Sequence, residues 1–252
     1  MIDVLNLKNV NENITEPISF SVARDEIVGL IGSYGIGKTR ICDMITGFIP
    51  CAGAVSFDGV NTSAAPTLSK GKVGYMPKNT SLYPEMSVWE FLQFAAKIRK
   101  VSADVVLSTV EGAVDFFQLI EIKDEIIGKL PKGMRKKISL AAATFGNPEI
   151  LVLDEPFYGL SCEEKEFLAG IIKEIAVGKA VLITGTASNE IFDRIIDLGN
   201  EAMLGDLFET DETDELIDNQ EIEAVLEEEL LDDVTEVEDA SDAEIEDEGD
   251  VL

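Results

Sequence analysis

Apolar positions recur along this chain with two periods, and the change from one to the other places the elements. Glu26-Ile27-Val28-Gly29-Leu30-Ile31 and Ile150-Leu151-Val152-Leu153 are short apolar runs rich in β-branched and aliphatic residues. That is the pattern of strands buried on both faces of a parallel sheet. Ala180-Val181-Leu182-Ile183-Thr184 is a third such run. From Leu5 to Val28, and again from Ala52 to Val60, apolar and polar residues alternate, which predicts a small antiparallel sheet. After Lys38 the period changes, with Ile41, Met44 and Ile45 at helical spacing. From about 80 to 140 the pattern is mostly helical. Ser87-Val88-Trp89-Glu90 is a capping box that opens a helix running through Ile98. Trp89, Phe91, Phe94 and Phe116 are expected in the core of that helical part. Ser161-Cys162-Glu163-Glu164 is a second box, heading a helix over 161–177. Strands alternating with helices predict an α/β fold around a mainly parallel sheet.

The first of those strands runs into a turn that carries chemistry. Gly32-Ser33-Tyr34-Gly35-Ile36-Gly37-Lys38-Thr39 matches G-x-x-x-x-G-K-[ST], and it has the strand before it and the helix after it that a phosphate-cradling loop needs. Gly32, Gly35 and Gly37 let successive N–H groups turn toward one anion, and the helix N-terminus adds partial positive charge. Lys38 is placed to reach β- and γ-phosphates, and the Thr39 hydroxyl to hold Mg2+. Ile150–Leu153 ends in Asp154-Glu155, where ligands collect outside the carboxyl ends of parallel strands. Asp154 is expected to bind the metal, through water, and Glu155 to polarise the attacking water. Alone, Asp-Glu-Pro would merely end a strand in a polar loop. Paired with the phosphate loop, it predicts a P-loop NTPase that binds a nucleoside triphosphate with Mg2+, with Lys38 and Glu155 as its catalytic pair. The fold class expected is α/β, with a small antiparallel β subdomain and a helical subdomain beside the parallel sheet.

With these motifs the chain resembles the nucleotide-binding subunits of ABC (ATP-binding cassette) transporters over residues 3 to 207. Val73-Gly74-Tyr75-Met76-Pro77-Lys78, followed by Leu82-Tyr83-Pro84-Glu85-Met86-Ser87-Val88, is similar to the family's Q-loop and the start of its helical subdomain. Leu130-Pro131-Lys132-Gly133-Met134-Arg135-Lys136-Lys137 resembles the signature region, in the K-G-M form of ATPases that serve ABC-2 exporter permeases. Asp154-Glu155-Pro156-Phe157-Tyr158-Gly159-Leu160-Ser161 resembles the acidic strand end and D-loop. The resemblance implies that Gly133 faces the γ-phosphate of a partner's nucleotide, and that the helical subdomain and Q-loop touch a permease.

Five helper positions depart from that family pattern. Lys78 stands for the Q-loop glutamine, Pro131 for the signature serine, Ser161 for the D-loop aspartate and Thr186 for the switch histidine; Val10 or Asn11 lies where an aromatic residue stacks on adenine. The chain contains no histidine at all. Ser161 has a structural use as a helix cap. Lys78 reads as a solvated loop lysine or, alternatively, as a fixed cation reaching the γ-phosphate. Nucleotide binding is expected to survive these changes and turnover to be weakened.

Composition changes the picture at one end only. The 252 residues carry a net charge of −29, of which 23 acids and no bases fall between Gly205 and Leu252, leaving −6 for the rest. Residues 1–208 therefore read as the nucleotide-binding domain, with its helical subdomain at about 80–140. Residues 209–252 read as an acidic tail, with an amphipathic helix over 214–231 and disorder from Glu236 onward. Such a tail disfavours nucleic acid as a partner. Lys129, Lys132, Arg135, Lys136 and Lys137 form a basic cluster that it could meet. Cys42, Cys51 and Cys162 are scattered, as reduced thiols are. No signal peptide is expected, and no run reaches the roughly 18–20 apolar residues that cross a bilayer. The expectation is a cytoplasmic ATP-binding subunit, peripheral on the inner face of the cell membrane. It would couple ATP to export through a separate permease, as a homodimer or as a heterodimer with another ABC subunit. A permease-free soluble ABC ATPase and a nucleotide-binding pseudo-ATPase with a regulatory role are the alternatives.

Overall fold

Two sheets and five α-helices make up the described residues, which are 1–9, 18–62, 71–79 and 82–199 of a computed structural model. The chain divides into two units, Met1–Asn200 and Glu201–Leu252. The second unit, with the expected helix over 214–231, lies outside the described residues, as do Val10 and Asn11.

The strands are β1 (Ile2–Asn9), β2 (Ile18–Val22), β3 (Glu26–Ile31), β4 (Cys51–Phe57), β5 (Val60–Asn61), β6 (Val73–Met76), β7 (Ile150–Leu153), β8 (Ala180–Gly185) and β9 (Arg194–Asp197). One sheet is antiparallel in the order β2-β1-β4-β5, and the other is parallel in the order β6-β7-β8-β3-β9. The expected α/β class holds, with adjusted limits. The antiparallel sheet starts at Ile2, and Val28 belongs to the parallel sheet, where it opposes Leu182. Strands β6 and β9 were not legible as strands; β9 is mostly exposed, so it lacks the apolar run that marks a central strand.

Successive side chains of a strand face opposite ways, and the parallel sheet uses this to serve two cores. Val28, Leu30, Val152 and Leu182 pack with Ile41, Met44 and Ile45 of α1 (Lys38–Thr46) and with Ile2, Val4 and Phe57 of the antiparallel sheet. Ile27, Leu151, Leu153, Val181 and Ile183 face the other core. That core is completed by α2 (Val88–Ile98), α3 (Val106–Phe116), α4 (Lys132–Thr144) and α5 (Cys162–Ala176). Each fully buried aliphatic side chain contributes about 1.5–3 kcal/mol.

Helix starts follow local chemistry. Ser87 and Ser161 both form complete capping boxes, with Glu90 and Glu164. Helix α1 instead starts from Gly37 at φ 100°, a conformation only glycine adopts without strain. The buried stripe of α3 is Val106, Val110 and Val114, continued by Phe117. Phe116 therefore falls off that stripe and is 41% exposed, against its expected place in the core. Phe91 is buried as expected, and Trp89 packs against the same core from a half-buried position. Cys42, Cys51 and Cys162 are all free thiols.

Candidate functional site

Register brings the chemistry together. Met76 pairs with Leu153, Leu153 with Ile183, and Leu30 with Thr184. Stepping past those pairs, Lys78 leaves β6 level with Glu155 leaving β7, Asp154 stands beside Thr184, and β3 opens into the glycine-rich loop. Gly32 donates its N–H to the Gly185 carbonyl at 3.3 Å, tying the loop to β8. All of this lies at the carboxyl ends of the strands, where open parallel sheets bind their ligands.

Lys38 is almost fully buried, and its Nζ donates to the carbonyls of Gly32 (2.7 Å) and Ser33 (2.9 Å). The same nitrogen lies 3.4 Å from Glu155 Oε1. Thr39 follows in the first turn of α1, while Ser33, Tyr34 and Gly35 are exposed along the loop. Asp154 and Glu155 are both buried. Thr184 joins them, because its hydroxyl donates to Asp154 Oδ1 at 2.6 Å and accepts from the Glu155 N–H at 2.8 Å. The other Asp154 oxygen, Oδ2, is buried with no hydrogen-bond partner among the described residues.

Lys78 is not the solvated loop lysine of the simpler expectation. Its Nζ is 3.1 Å from Glu155 Oε2, an ion contact without hydrogen-bond alignment, and only 20% of its side chain is exposed. The cause is the sheet order, which sets β6 beside β7. Burial, the largest single influence, lowers the Lys78 pKa, but Glu155, Tyr34 and Asp154 together outweigh it and hold it above the ordinary value.

Lys136 is a second departure, since it is buried rather than part of the basic surface expected around the signature-like segment. It sits on the core side of α4 and donates to the Glu155 carbonyl at 2.5 Å. That leaves Lys129 and Lys132 as exposed members of the cluster. Gly133, in the first turn of α4, is buried against the Glu164 carboxylate of α5, so a side chain there would displace the capping box. Thr186 lines a cavity of about 250 Å³ together with Glu155, Tyr158 and Thr184.

Sequence reasoning named Lys38, Asp154, Glu155 and Lys78 but missed Thr184 and Lys136. A threonine closing the apolar run Ala180-Val181-Leu182-Ile183 was the one available signal for Thr184.

A family model described as "ABC transporter" matches residues 15–158, more than half of the chain. The chain belongs to the ABC transporter family. Its first unit has that family's ATP-binding fold. Among curated relatives, the Nod factor export ATP-binding protein I of Burkholderia thailandensis is 31% identical over 173 residues, covering 68% of this chain and 57% of the relative. The linearmycin resistance ATP-binding protein LnrL of Bacillus subtilis is 28% identical over 214 residues, covering 81% and 69%. The chain thus spans little more than half the length of the first of these. Among solved structures, an ABC transporter ATP-binding protein from Pyrococcus furiosus superposes with a TM-score of 0.69 at 22% identity, covering 78% of this chain and 96% of that one. An ATP-binding subunit of an ABC transporter superposes with a TM-score of 0.66 at 26% identity, covering 74% and 79%. A dimeric ATP-binding cassette bound to ADP and Pi has the same fold, with a TM-score of 0.69 at 18% identity, covering 78% and 94%.

Two measurable consequences follow for this ABC domain. Thr184→Val keeps the shape but removes the hydroxyl between Asp154 and the Glu155 N–H. It is expected to cost about 1–3 kcal/mol in urea unfolding, because both partners stay buried. A loss below about 0.5 kcal/mol, the size of a neutral surface change, would contradict that bridge.

The second consequence concerns pH. Burial first, then the nearby Lys132 and Lys78 charges, pushes the Lys136 ammonium down from 10.5 to about 8, against the pull of Glu155 and Asp154. Between those values the unfolded chain binds more protons than the folded one, so this group's contribution to stability grows as pH rises from about 8 toward 10.5. Below about 8 that contribution is absent. Against Lys136→Met as reference, the wild type is expected to gain up to about 3 kcal/mol across that window. Urea midpoints at several pH values read it, and a constant difference would refute it.

Proposed function

We propose that this chain is the ATP-binding subunit of an ABC exporter of the ABC-2 kind, working with a separate membrane permease. The reading rests above all on the convergence of the loop lysine Lys38 and the strand-end Glu155 on one buried point. It is supported by curated relatives that are themselves named export or resistance ATP-binding proteins. In this reading the loop Gly32 to Thr39 holds the α- and β-phosphates of ATP through backbone N–H groups that follow Gly32, whose own N–H bonds Gly185, and Lys38 turns from the loop carbonyls to the phosphates. Thr39 and Asp154 fit a divalent cation. The unpartnered Oδ2 of Asp154 is a free acceptor toward the metal or a water on it, and water and phosphate oxygens would complete the shell. Magnesium there supplies charge neutralisation on the phosphate oxygens. Glu155 accepts a proton from the attacking water. The backbone N–H of Gly133, unpaired within its helix at the first turn of α4, is available to a second subunit's nucleotide in a homodimer or heterodimer.

No helix among the described residues is long and apolar enough to cross a membrane; the permease of this reading is a separate chain, with this one at the cytoplasmic face. An apolar groove of about 670 Å³ between α1 and the helical subdomain, lined by Phe48, Tyr75, Phe94 and Ile98, is the surface we assign to that permease. Phe48 is 72% exposed and Ile98 60% along this groove.

The engagement of Glu155 by two lysines favours a second reading, a subunit that holds ATP and hydrolyses it slowly. Calorimetric ATP binding with steady-state turnover on the full chain tests both. Turnover in magnesium supports the motor, binding without turnover supports the holder, and no binding removes both.

A further inference from the structure

Two ammonium groups converge on one carboxylate at the strand ends. Lys38 Nζ meets Glu155 Oε1 at 3.4 Å, and Lys78 Nζ meets Oε2 at 3.1 Å. Lys78 is also held from its sides. Its Nζ lies 4.4 Å from the ring centroid of Tyr34 in the glycine-rich loop and 4.9 Å from that of Tyr158, just past Glu155. Lys132 Nζ lies 4.4 Å from the same Tyr158 ring. Both separations at Lys78 are within the range where a ring face attracts a cation. Lys78 is therefore a positioned charge with a carboxylate and two rings as its surroundings, not a side chain sampling water.

We propose that Lys78 is the residue by which this chain distinguishes a nucleoside triphosphate from a diphosphate, exchanging Glu155 for the γ-phosphate when ATP binds. The proposal rests on the nucleotide reading given above. The loop amides hold the phosphates nearer the nucleoside, which both nucleotides possess. Lys38, within the loop, reaches the β-phosphate that both nucleotides carry, and only a triphosphate extends past it to where Lys78 meets Glu155. A terminal phosphate brings more negative charge there than one carboxylate and accepts from two ammonium groups at once. Because the second cation is covalently part of the chain, the preference for triphosphate persists when divalent metal is removed. The exchange has a further consequence for Glu155. Both of its carboxylate oxygens face lysines in the nucleotide-free chain, and the arrival of a γ-phosphate draws those lysines away. A diphosphate leaves the pairing in place, so triphosphate and an available base appear together.

The test is calorimetric binding of the β,γ-imido analogue of ATP and of ADP to the full chain, each in magnesium and in EDTA, for wild type, Lys78→Gln and Lys78→Arg. The wild type is expected to prefer the triphosphate by at least about tenfold in EDTA, the value of one charge-assisted contact. Lys78→Gln should bring that ratio close to one while ADP affinity changes less than about twofold, and Lys78→Arg should keep most of the preference. Thermal unfolding of the three nucleotide-free proteins checks that each is folded, and the Arg variant carries the test if the Gln variant is not. An unchanged ratio in Lys78→Gln overturns the inference, as does equal loss of both nucleotides or a wild type that binds only with magnesium. A wild type that binds neither nucleotide in magnesium overturns the nucleotide reading itself, which separates the two failures.

Discussion

Glu155→Gln is expected to slow ATP turnover by about two to three decades while ATP binds the variant more tightly than the wild type. The two effects have one origin. Glu155 is 4% exposed and, among the described residues, carries the only side-chain anion in an ion pair with Lys38, and it also faces Lys78. Glutamine keeps the shape but removes the charge, so the variant cannot take up a proton from water. It also leaves two ammonium groups facing a neutral amide. Breaking a buried pair in this way costs about 3–5 kcal/mol. The lower end applies here, because Lys78 is one-fifth exposed and its charge is partly screened. The nucleotide-free variant should therefore unfold at a lower denaturant concentration than the wild type, and ATP should restore more stability to it, since phosphate replaces the lost anion. Turnover equal to the wild type's would remove Glu155 from the chemistry. Weaker ATP binding would mean that the carboxylate does not compete with phosphate for the lysines.

That competition was invisible along the chain, and the reason is geometric. The loop Gly32 to Thr39, the strand before it and the helix after it were legible because each step is local: apolar run, glycines, lysine, helical spacing. The two capping boxes at Ser87 and Ser161 were legible for the same reason, since N-cap and N3 are three residues apart. Lys78 and Glu155 meet only because β6 and β7 are neighbours with Met76 opposite Leu153. No period in the sequence encodes which strands are adjacent. Thr184 met Asp154 through the same kind of register, one strand further on.

Charge also misled where helical phase decided the outcome. The run Arg135-Lys136-Lys137 reads as a basic surface, yet three consecutive helix positions span most of a turn and cannot all face water. Lys136 falls on the side that carries Gly133, Leu140 and Ala143 inward, and Glu155 supplies the carbonyl that its ammonium needs. Phe116 and Phe117 show the mirror case, in which adjacent aromatic residues share a sequence signal and only one lies on the buried stripe of α3. Composition and motif thus located the site, while the strand order and helix phase determined which lysines serve it.

The second large effect is expected at Lys38. Lys38→Met should weaken binding of the triphosphate by at least about two decades while leaving the fold in place. Methionine matches the length and flexibility of the lysine stem, so the packing in this 4%-exposed position is kept. What is lost is the ammonium that donates to the Gly32 and Ser33 carbonyls and faces Glu155. Ser33 is exposed, so water can take over part of that donation, and Lys78 still faces Glu155, so the stability cost stays below that of Glu155→Gln. The phosphates have no such replacement. Of the two cations at Glu155, Lys38 is the one built into the loop itself, and Lys78 reaches only the far side of the carboxylate. The variant should consequently lose ADP as well as ATP, whereas Lys78→Gln should lose only the triphosphate preference. Calorimetry on both variants reads this contrast directly. If Lys38→Met binds within about threefold of the wild type, the loop does not deliver its lysine to phosphate. The same pattern of loss in both variants would mean that the two lysines act as one undivided positive site.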